Sequence, residues 1–494
     1  MEELYHHLGF NHNPFSTYSA EEEYDFLDNI YLNPKFFYSL KSDIANGHSR
    51  FILGSRGVGK TALLSQLKAA LEKDNNFSII IDNFDGIPES NNNAELIRLI
   101  IEDLTKYYCV ELGKMPKRLR KLTKVQKEKL SFIISEFFVT LSSSEYKILI
   151  NQTNIYHRAN LIRTIYNKFF NKPINFVISG CMEIASDAVK KSLGLPEINK
   201  EVFYKNYLPE LNIEQIEKCK IELNYKAYKT ILSDFADIIK SSGYSSVVIF
   251  FDKIDEYAQL NNNISLVANF LEGILKDTTI LMNRSYSVVF SIWDAVKPEL
   301  TNNGVRFDKI KPIDITWSDE EIKEILEKRI CFFSGGQITL DKLIKNQAKI
   351  EEIITLSNHS PRYIFRLLSY IYDCQSEINN KAQSFQLNVI DEGEKIYCQS
   401  FDYYAIYPTK TAGKENVINN INRLLKIGKK IIKASDYVNV YKVSTPTAIS
   451  YIRITLNYNL IKELPETDKG AKQYAIIDPV INYLIGIGVS ELRK

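Results

Sequence analysis

Eight residues near the amino end of the chain have the types and spacing needed to bind the phosphates of a nucleotide. The pattern G-x-x-x-x-G-K-[ST] is matched in full by the run Gly54, Ser55, Arg56, Gly57, Val58, Gly59, Lys60 and Thr61. Glycines let the backbone bend so that successive N–H groups point at phosphate oxygens. A lysine at position 60 reaches the β- and γ-phosphates, and a hydroxyl at position 61 ligates Mg²⁺. The run therefore predicts a phosphate loop that binds a nucleoside triphosphate with Mg²⁺.

A second group of candidate residues follows the apolar run Val247–Phe251. Three acids stand within five positions there: Asp252, Asp255 and Glu256. A phosphate-loop enzyme needs a carboxylate near the metal at the end of a neighbouring buried strand, and Asp252 is the candidate for that role. Asp255 or Glu256 is the candidate general base for the attacking water. The alternative interpretation is a strand that ends in an acidic, solvated turn.

Lys253 limits the expected rate of hydrolysis. Many phosphate-loop ATPases place a glutamate directly after the metal-binding aspartate, and here that position holds a lysine. We therefore expect ATP to be bound well and hydrolysed slowly, which suits a switch better than a fast motor. The guanine-reading motif N-K-x-D is absent, since Asn171-Lys172 is followed by Pro173-Ile174. ATP is therefore the expected nucleotide.

The elements around these residues predict an α/β fold. An amphipathic helix follows the loop, with Leu64, Leu67 and Leu71 at helical spacing. Further helices are predicted from Asn92, with Glu95 completing a cap, and within 263–281. Short apolar runs predict strands at Phe51–Leu53, Ser78–Asp82, Val247–Phe251 and Ser287–Ser291. Strands that alternate with helices predict a parallel sheet covered on both faces.

The sequence predicts that the chain folds into three domains. Residues 1–317 form the phosphate-loop core, with a helical insertion at about 113–172. Residues 318–424 are helical in pattern and form a lid domain. Residues 425–494 read as three helices and a hairpin, with strands at Asn459–Leu464 and Gln473–Ile477, the outline of a winged helix.

Composition sets wider bounds on the class of protein. The 494 residues are 45% apolar and 25% charged, and the formal net charge is +2, so no field of the whole chain favours nucleic acid. Six scattered cysteines without C-x-x-C spacing are typical of a reduced protein and do not match the pattern of a zinc site. No uncharged apolar run approaches the ~18 residues of a membrane helix. We expect a cytoplasmic protein that does not contact membrane.

Several of these pieces together resemble a known group of proteins. The layout resembles the additional-strand ATPases of the AAA+ and STAND type, and in particular bacterial and archaeal ATPases with an N-P-F motif and a carboxy-terminal winged helix. The matching pieces are Asn13-Pro14-Phe15, the phosphate loop, the segment 252–256, the strand SVVFSIWD, Thr316-Trp317-Ser318 and Ser360-Pro361-Arg362. Only the phosphate loop is highly specific among them.

The resemblance implies further site residues and a biological setting. It implies that Ser291 or Asp294 senses the γ-phosphate and that Arg362 of the lid reaches the nucleotide; a strand-end cap and a surface arginine are the alternatives. It also implies a switch that controls an effector protein, in bacterial antiphage defence. Self-association into a homo-oligomer is a further expectation of this kind.

Two regions are candidates for contact with DNA or RNA. In a DNA-binding winged helix, Lys469 and Lys472 on the wing would contact phosphate. The segment 114–129 holds eight basic residues and one acid. A solvated helix face is the preferred interpretation of this segment, and a phosphate-contacting patch is the alternative.

Three functions remain open at this point. The first is an ATP-driven switch that controls an effector or nucleic acid. The second is a DNA-processing ATPase, such as a replication or transposition regulator. The third is a nucleotide-binding scaffold without turnover.

Overall fold

The computed structural model describes residues 3–138, 224–407, 416–468 and 470–492. Several predictions fall outside these residues. They concern the insertion from 139 to 172, the stretch Asn171-Lys172-Pro173-Ile174, two of the cysteines and Lys469.

A five-stranded sheet forms the centre of the amino-terminal part of the chain. Its strands are Arg50–Gly54 (β1), Phe77–Ile81 (β2), Val247–Phe251 (β3), Ser287–Trp293 (β4) and Pro312–Asp314 (β5). They lie in the order β2-β3-β4-β1-β5, and every adjacent pair is parallel. The carboxyl ends of all five strands therefore share one edge, where open α/β sheets bind their ligands.

Four of these strands match predicted strands to within two residues at each end. β4 continues beyond the predicted end at Ser291 because Ile292 and Trp293 are also buried. β5 has no counterpart in the prediction, because it is only three residues long and begins with a proline.

Helices cover both faces of the sheet. In the amino-terminal part they are Leu4–His7 (α1), Leu27–Ile30 (α2), Phe37–Ala45 (α3), Lys60–Lys73 (α4), Asn93–Lys114 (α5), Lys124–Phe137 (α6), Tyr225–Ser241 (α7), Ile264–Lys276 (α8), Thr278–Leu281 (α9) and Lys297–Asn302 (α10). One face of the sheet packs against α3 and α4 in a core that continues into the following domains. The other face packs against α5, α6, α7 and α8.

Short 3₁₀ turns join several of these elements. They are Pro116–Lys121, Ile254–Glu256, Ala258–Leu260, Asp294–Val296 and Tyr403–Ala405. Two of them, at residues 254 and 294, directly follow the carboxyl ends of β3 and β4 and so lie at the ligand-binding edge.

The start of α5 differs from its predicted capping. Asn92 is the residue before the helix, but its side chain accepts no capping hydrogen bond. Its Nδ2 donates instead to the carbonyls of Pro88 and Phe270, 2.9 and 3.1 Å away. The asparagine therefore joins α5 to α8 rather than capping the helix. α5 also continues to Lys114, past the predicted start of the insertion at 113.

The segment predicted as a lid contains five helices. Its helices are Asp319–Ser334 (α11), Leu340–Leu343 (α12), Gln347–Leu356 (α13), Pro361–Ile378 (α14) and Leu387–Gln399 (α15). α11 begins with a full capping box between Ser318 and Glu321. It ends at Gly335, whose φ of 59° is the left-handed conformation that stops a helix.

The amino-terminal segment packs on this lid rather than only on the sheet. Arg329 of α11 is fully buried, and its guanidinium donates to the carbonyls of Pro14 and Thr17. It also forms an ion pair of 2.6 Å with Glu23. The ring of Phe26 stacks on Phe332 of the same helix. The predicted core domain 1–317 therefore contributes its first residues to the lid.

The carboxy-terminal part combines four helices with a small antiparallel sheet. Its elements are Val417–Ile427 (α16), Ile431–Ile432 (β6), Ala434–Tyr441 (α17), Thr445–Asn457 (α18), Ile461–Asp468 (β7), Ala471–Ile476 (β8) and Pro479–Gly486 (α19). The strands lie in the order β6-β8-β7. The predicted boundary between residues 424 and 425 falls inside α16.

One detail of α18 differs from the prediction. The apolar residues of this helix predict a buried face that includes Ile449, Ile452 and Leu456, but Ile449 is 47% exposed, whereas Ile452 is buried. The buried stripe of this helix is therefore narrower than its apolar residues indicate.

Among the residues that the structure describes, no helix combines the length and apolar character needed to cross a membrane.

Candidate nucleotide-binding site

The phosphate loop connects the end of β1 to the first turn of α4. Gly57 and Gly59 have φ angles of 83° and 95°, a region that L side chains rarely adopt. Gly57 is also crowded, since an added Cβ would lie 2.8 Å from Oγ of Ser360. α4 begins at Lys60, so its positive amino end points at the loop. This geometry is suited to an anion.

Lys60 is half-buried, and several carboxylates act on its charge. Its Nζ donates to the carbonyls of Gly54 and Ser55 at 2.8 and 3.0 Å. Burial lowers the pKa of its ammonium group, and the charges of Asp255, Asp294 and Asp252 offset part of that effect. The loop thus holds a desolvated cation within reach of bound phosphates.

Asp252 follows β3 directly and is 2% exposed. Its backbone N–H donates to the carbonyl of Ile81, which fixes the chain at the strand end. Within the described residues its carboxylate accepts no hydrogen bond, so its oxygens are available to a metal. Thr61 is the second residue of α4. One carboxylate and one hydroxyl fit Mg²⁺, which keeps waters and phosphate oxygens as its other ligands.

Asp255 and Glu256 lie in the 3₁₀ turn that follows. Asp255 is buried, and its Oδ2 lies 2.6 Å from Nε of Arg56. Glu256 is exposed and adjacent. Burial and the charge of Asp255 raise the pKa of Glu256, and the charges of Arg362 and Arg56 counter this in part. The two candidate bases therefore have different environments.

Lys253 pairs with two carboxylates that lie outside the phosphate loop. Its backbone is left-handed, with a φ of 56°, and its Nζ lies 2.8 Å from Glu21 and 3.2 Å from Asp82. Although burial lowers it, the pKa of Lys253 is raised well above its usual value by the hydrogen bonds and charges of these two carboxylates. The lysine at the usual glutamate position thus contacts the amino-terminal segment.

The two candidate sensors occupy different places on β4. Ser291 pairs in register with Ile52, two residues before the strand ends, and its buried hydroxyl has no hydrogen-bond partner among the described residues. Asp294 is the first residue after the strand. Burial raises the pKa of Asp294, and the charge of Lys60 opposes that shift. The geometry therefore places Asp294, rather than Ser291, beside the phosphate loop.

The phosphate loop contacts both Arg362 of the lid and Trp317, the last residue before the lid. Nε1 of Trp317 donates to the carbonyl of Val58 at 2.9 Å, in a buried hydrogen bond. The backbone N–H of Arg362, near the start of α14, donates to the carbonyl of Gly57 at 3.3 Å. Burial raises the pKa of Glu21, but the hydrogen bond from Lys253 lowers it below its usual value. The charge of Arg362 adds to this lowering. Arg362 therefore lies at the site.

Sequence reasoning missed the roles of Arg56 and Trp293. The sequence pattern identifies Arg56 only as a variable position of the loop. In the structure its guanidinium carbon lies 4.7 Å from the centre of the Trp293 ring. Trp293 is the register partner of Gly54 across β1 and β4. No local sequence pattern predicts such a contact. The feature of the sequence that could have drawn attention to it is a long charged side chain at a variable position of the loop.

The parallel sheet, the glycine loop after β1 and the helix that begins at Lys60 together define an α/β P-loop NTPase fold, which confirms the predicted class. β4 lies between the phosphate-loop strand and the acidic strand β3.

Comparison with known proteins adds little to this assignment. No protein-family model and no curated protein sequence matches the chain. Solved structures of Thermotoga maritima RuvB are similar. One, described as a Holliday junction branch migration motor, covers 96% of this chain and 98% of its own at 11% identity, with a TM-score of 0.31. A substituted form of RuvB covers 52% and 83% at 15% identity, with a TM-score of 0.23. At these values the likeness supports no inference about function.

Proposed function

We propose that this chain is an ATP-binding molecular switch of the additional-strand AAA+ and STAND type, which hydrolyses ATP slowly. The observation that carries the proposal is the contact of the phosphate loop with the lid and with the residue that directly precedes the lid. Trp317 and Arg362 both bond to backbone carbonyls of the loop itself. A nucleotide bound there acts on the sheet and on the lid together, which is what a switch requires.

The ligands of the switch are ATP and Mg²⁺. Lys60 and the loop backbone would hold the phosphates, and Thr61 and Asp252 would hold the metal. When bound, Mg²⁺ neutralises phosphate charge and favours attack at the γ-phosphorus. Glu256 and Asp255 are the carboxylates placed to orient water. Asp294 is better placed than Ser291 to respond to the γ-phosphate, because it faces Lys60.

Slow turnover is supported by the position of Lys253. A glutamate there would add a carboxylate next to Asp252, whereas the lysine is held by Glu21 and Asp82. The site thus lacks the usual base directly after the metal ligand.

The lid offers a route from the nucleotide to a partner. Tyr407, after the lid helices, donates to Oδ2 of Asp478 at 2.7 Å, and Tyr483 of α19 donates to the carbonyl of Asp391 at 3.5 Å. These two hydrogen bonds connect the carboxy-terminal part to the lid. We propose that this part, as a winged helix, presents the nucleotide state to an effector protein or nucleic acid. The proposed setting in antiphage defence derives from the sequence resemblance.

A non-hydrolysing scaffold is the second candidate, and the orientation of Lys253 favours it. The two functions differ in what Glu256→Gln and Asp255→Asn do. A switch with these substitutions stays in its ATP state and keeps its partner bound, while the parent protein releases the partner as ATP is consumed. A scaffold binds its partner in ATP equally well with or without the substitutions.

The proposed switch is tested by ATP titration and turnover on the purified full chain. The parent should bind Mg²⁺ATP and hydrolyse it slowly, and Lys60→Ala should do neither. In cells challenged with phage, the parent should lower plating efficiency and Lys60→Ala should not. Protection by a Lys60→Ala protein that binds no ATP would contradict the nucleotide-driven switch.

A further inference from the structure

The guanidinium group of Arg56 joins three strand ends at the nucleotide site. Its Nε donates to Oδ2 of Asp255 at 2.6 Å, and its Nη2 donates to the backbone carbonyl of the same residue at 2.9 Å. The face of the group lies over the ring of Trp293. Arg56 belongs to the loop after β1, Asp255 to the turn after β3, and Trp293 to the end of β4. One side chain therefore fixes the relative positions of these three segments.

The contact leaves Asp255 little freedom. The side chains of Arg56 and Asp255 are 13% and 7% exposed, so the ion pair is largely shielded from water. An arginine stays charged at all relevant pH values, and its planar group offers N–H donors in a fixed geometry that matches a carboxylate. To reach an attacking water, Asp255 would have to break a short charge-assisted bond inside the protein, which is costly.

Glu256 has the opposite environment. It is exposed, and within the described residues its side chain forms no hydrogen bond or ion pair, while its backbone N–H donates to the carbonyl of Lys253. The charged groups that face it are Asp255, Arg362, Arg56 and Lys253. Burial of part of the group and the charge of Asp255 raise its pKa toward the range in which a general base works well.

The other three charged residues of the segment 252–256 are either buried or held by ion pairs. Asp252 is buried at the strand end, and Lys253 is held by Glu21 and Asp82. Asp255 is held by Arg56. Glu256 is the one side chain of these four that is free to contact a water in the described structure.

We propose that Arg56 is a positioning residue that holds Asp255 as a fixed anion and leaves Glu256 as the carboxylate that accepts the proton of the attacking water. This inference rests on the proposed ATP hydrolysis. In that step the water oxygen forms a bond to the γ-phosphorus and the bond from γ-phosphorus to the bridging oxygen breaks. ADP leaves with the electron pair, and the water proton passes to Glu256.

The test compares Glu256→Gln, Asp255→Asn, Arg56→Met and Arg56→Lys in the full chain. Each is measured for kcat with a sensitive phosphate-release assay and for the Kd of Mg²⁺ATP by calorimetry. Loss of a general base lowers kcat by about 10²–10⁴-fold. We expect Glu256→Gln to fall in that range with its Kd unchanged within about threefold, and Asp255→Asn to reduce kcat only about tenfold.

A positioning role for Arg56 predicts two further results. Arg56→Met combined with Asp255→Asn should be no slower than Arg56→Met alone, because both remove one interaction. Arg56→Lys, which keeps the charge, should recover part of the kcat that Arg56→Met removes. Arg306→Met is the matched control, since Arg306 is an exposed arginine paired with Asp308, and it should leave kcat and Kd unchanged.

Three outcomes overturn the inference. A larger reduction of kcat from Asp255→Asn than from Glu256→Gln would identify Asp255 as the base. Reductions from Arg56→Met and Asp255→Asn that multiply in the double variant would show that they act independently. A parent protein that binds ATP but forms no ADP under single-turnover conditions would overturn the proposed hydrolysis itself, and this inference with it.

Discussion

A partly desolvated cation such as Lys60 lowers the stability of the folded chain until an anion neutralises it. Burial lowers its pKa, so the charged form is disfavoured in the folded state, and three carboxylates offset only part of the effect. At a pH above the pKa that Lys60 has in the unfolded chain, the lysine is neutral in both states and its burial carries no charge penalty. Below that pKa, at every pH at which proteins are handled, the folded state carries the penalty. Triphosphate oxygens supply the compensating charge. Lys60 therefore contributes to ATP binding rather than to folding.

Lys60→Ala should abolish ATP binding without lowering the thermal stability of the free protein. The charge that is removed is one that destabilises the folded chain, so the core stays intact. Calorimetric titration with Mg²⁺ATP and thermal unfolding measure the two effects. Lys68→Ala is the matched control, since Lys68 lies in the same helix and pairs with Glu72 on the surface. ATP affinity equal to that of the parent in a folded Lys60→Ala protein would contradict the assignment.

Lys253 leads to a prediction about rate. With no carboxylate directly after Asp252, we expect turnover of about one ATP per minute, against the ~10 per second of a median enzyme. Lys253→Ala should not raise that rate, because removal of the lysine supplies no base. Steady-state phosphate release at saturating Mg²⁺ATP measures both. Turnover near the median value in the parent would favour a motor instead.

At the level of elements, the amino-terminal segment from Pro14 to Glu23 connects the lid to the acidic turn after β3, and we call this segment the brace. Its carbonyls and Glu23 surround Arg329 of α11, whose guanidinium carbon also lies 4.2 Å from the ring centre of Phe365 in α14. Its Glu21 binds Lys253 beside β3. Because the brace has one anchor on each side of the nucleotide site, the opening of the lid must strain one of them.

Arg329→Met should destabilise this brace strongly. The substitution leaves Glu23, 7% exposed, as an unpaired buried carboxylate, and broken buried pairs cost about 3–5 kcal/mol. Urea unfolding and limited proteolysis within the amino-terminal segment measure the effect. A double variant with Glu23→Gln should regain much of the stability, because it removes the unpaired charge. Arg306→Met should be neutral, and equal stability of Arg329→Met and the parent would show that the pair contributes nothing.

The basic segment lies at the opposite edge of the sheet from the phosphate loop. Arg118 donates to Asn75, just before β2, and covers the ring of Tyr244, just before β3, at 3.8 Å. Lys114 and Lys129 pair with Glu111 and Asp234. Part of the segment therefore has a structural role.

We expect charge reversal in this segment to leave both ATP and nucleic-acid affinity unchanged. A variant with Lys117→Glu, Lys121→Glu and Lys124→Glu alters exposed side chains at the amino edge, about 16 Å of strand away from the loop. Fluorescence anisotropy with DNA and RNA across a salt titration measures the effect. If these lysines bind phosphates, the parent will show a steep salt slope, and the variant's slope will be shallower by about 0.9 for each lysine–phosphate pair that the substitutions remove.

The parts of the site that could be predicted are those carried by contiguous residues. The phosphate loop, the acidic strand and their order follow from runs of five to eight residues, each with its own chemistry. The contacts that organise the site join residues far apart in sequence: Arg56 to Asp255 spans 199 positions, and Trp317 to Val58 spans 259. Only packing creates such contacts, so no local pattern encodes them. The Asn92 side chain shows the same effect, because a distant carbonyl displaces its expected capping bond.

At the scale of the whole molecule, the core and the lid meet at the phosphate loop, and the carboxy-terminal part is joined to the lid. Trp317 and Arg362 connect lid and loop, and Tyr407 connects the lid side to Asp478. A ligand at the loop therefore stabilises more than one domain.

Mg²⁺ATP should raise the thermal stability of the chain as a unit. At a hundred times its Kd, a ligand specific for the folded state contributes about 2.7 kcal/mol. Scanning calorimetry should show the transitions of core and lid moving up together, and Lys60→Ala should show no shift. Movement of one transition alone would mean that the domains are not coupled through the loop.

The chain contains only two tryptophans, Trp293 and Trp317. One lies under Arg56 of the phosphate loop and the other donates its indole N–H to the loop carbonyl of Val58. Both indole groups are thus neighbours of the site where the triphosphate is expected, and no further tryptophan is present to mask their emission. The intrinsic fluorescence of the unlabelled chain can therefore report nucleotide binding and turnover in real time. Trp293→Phe and Trp317→Phe separate the signal beside Arg56 from the signal at the junction with the lid.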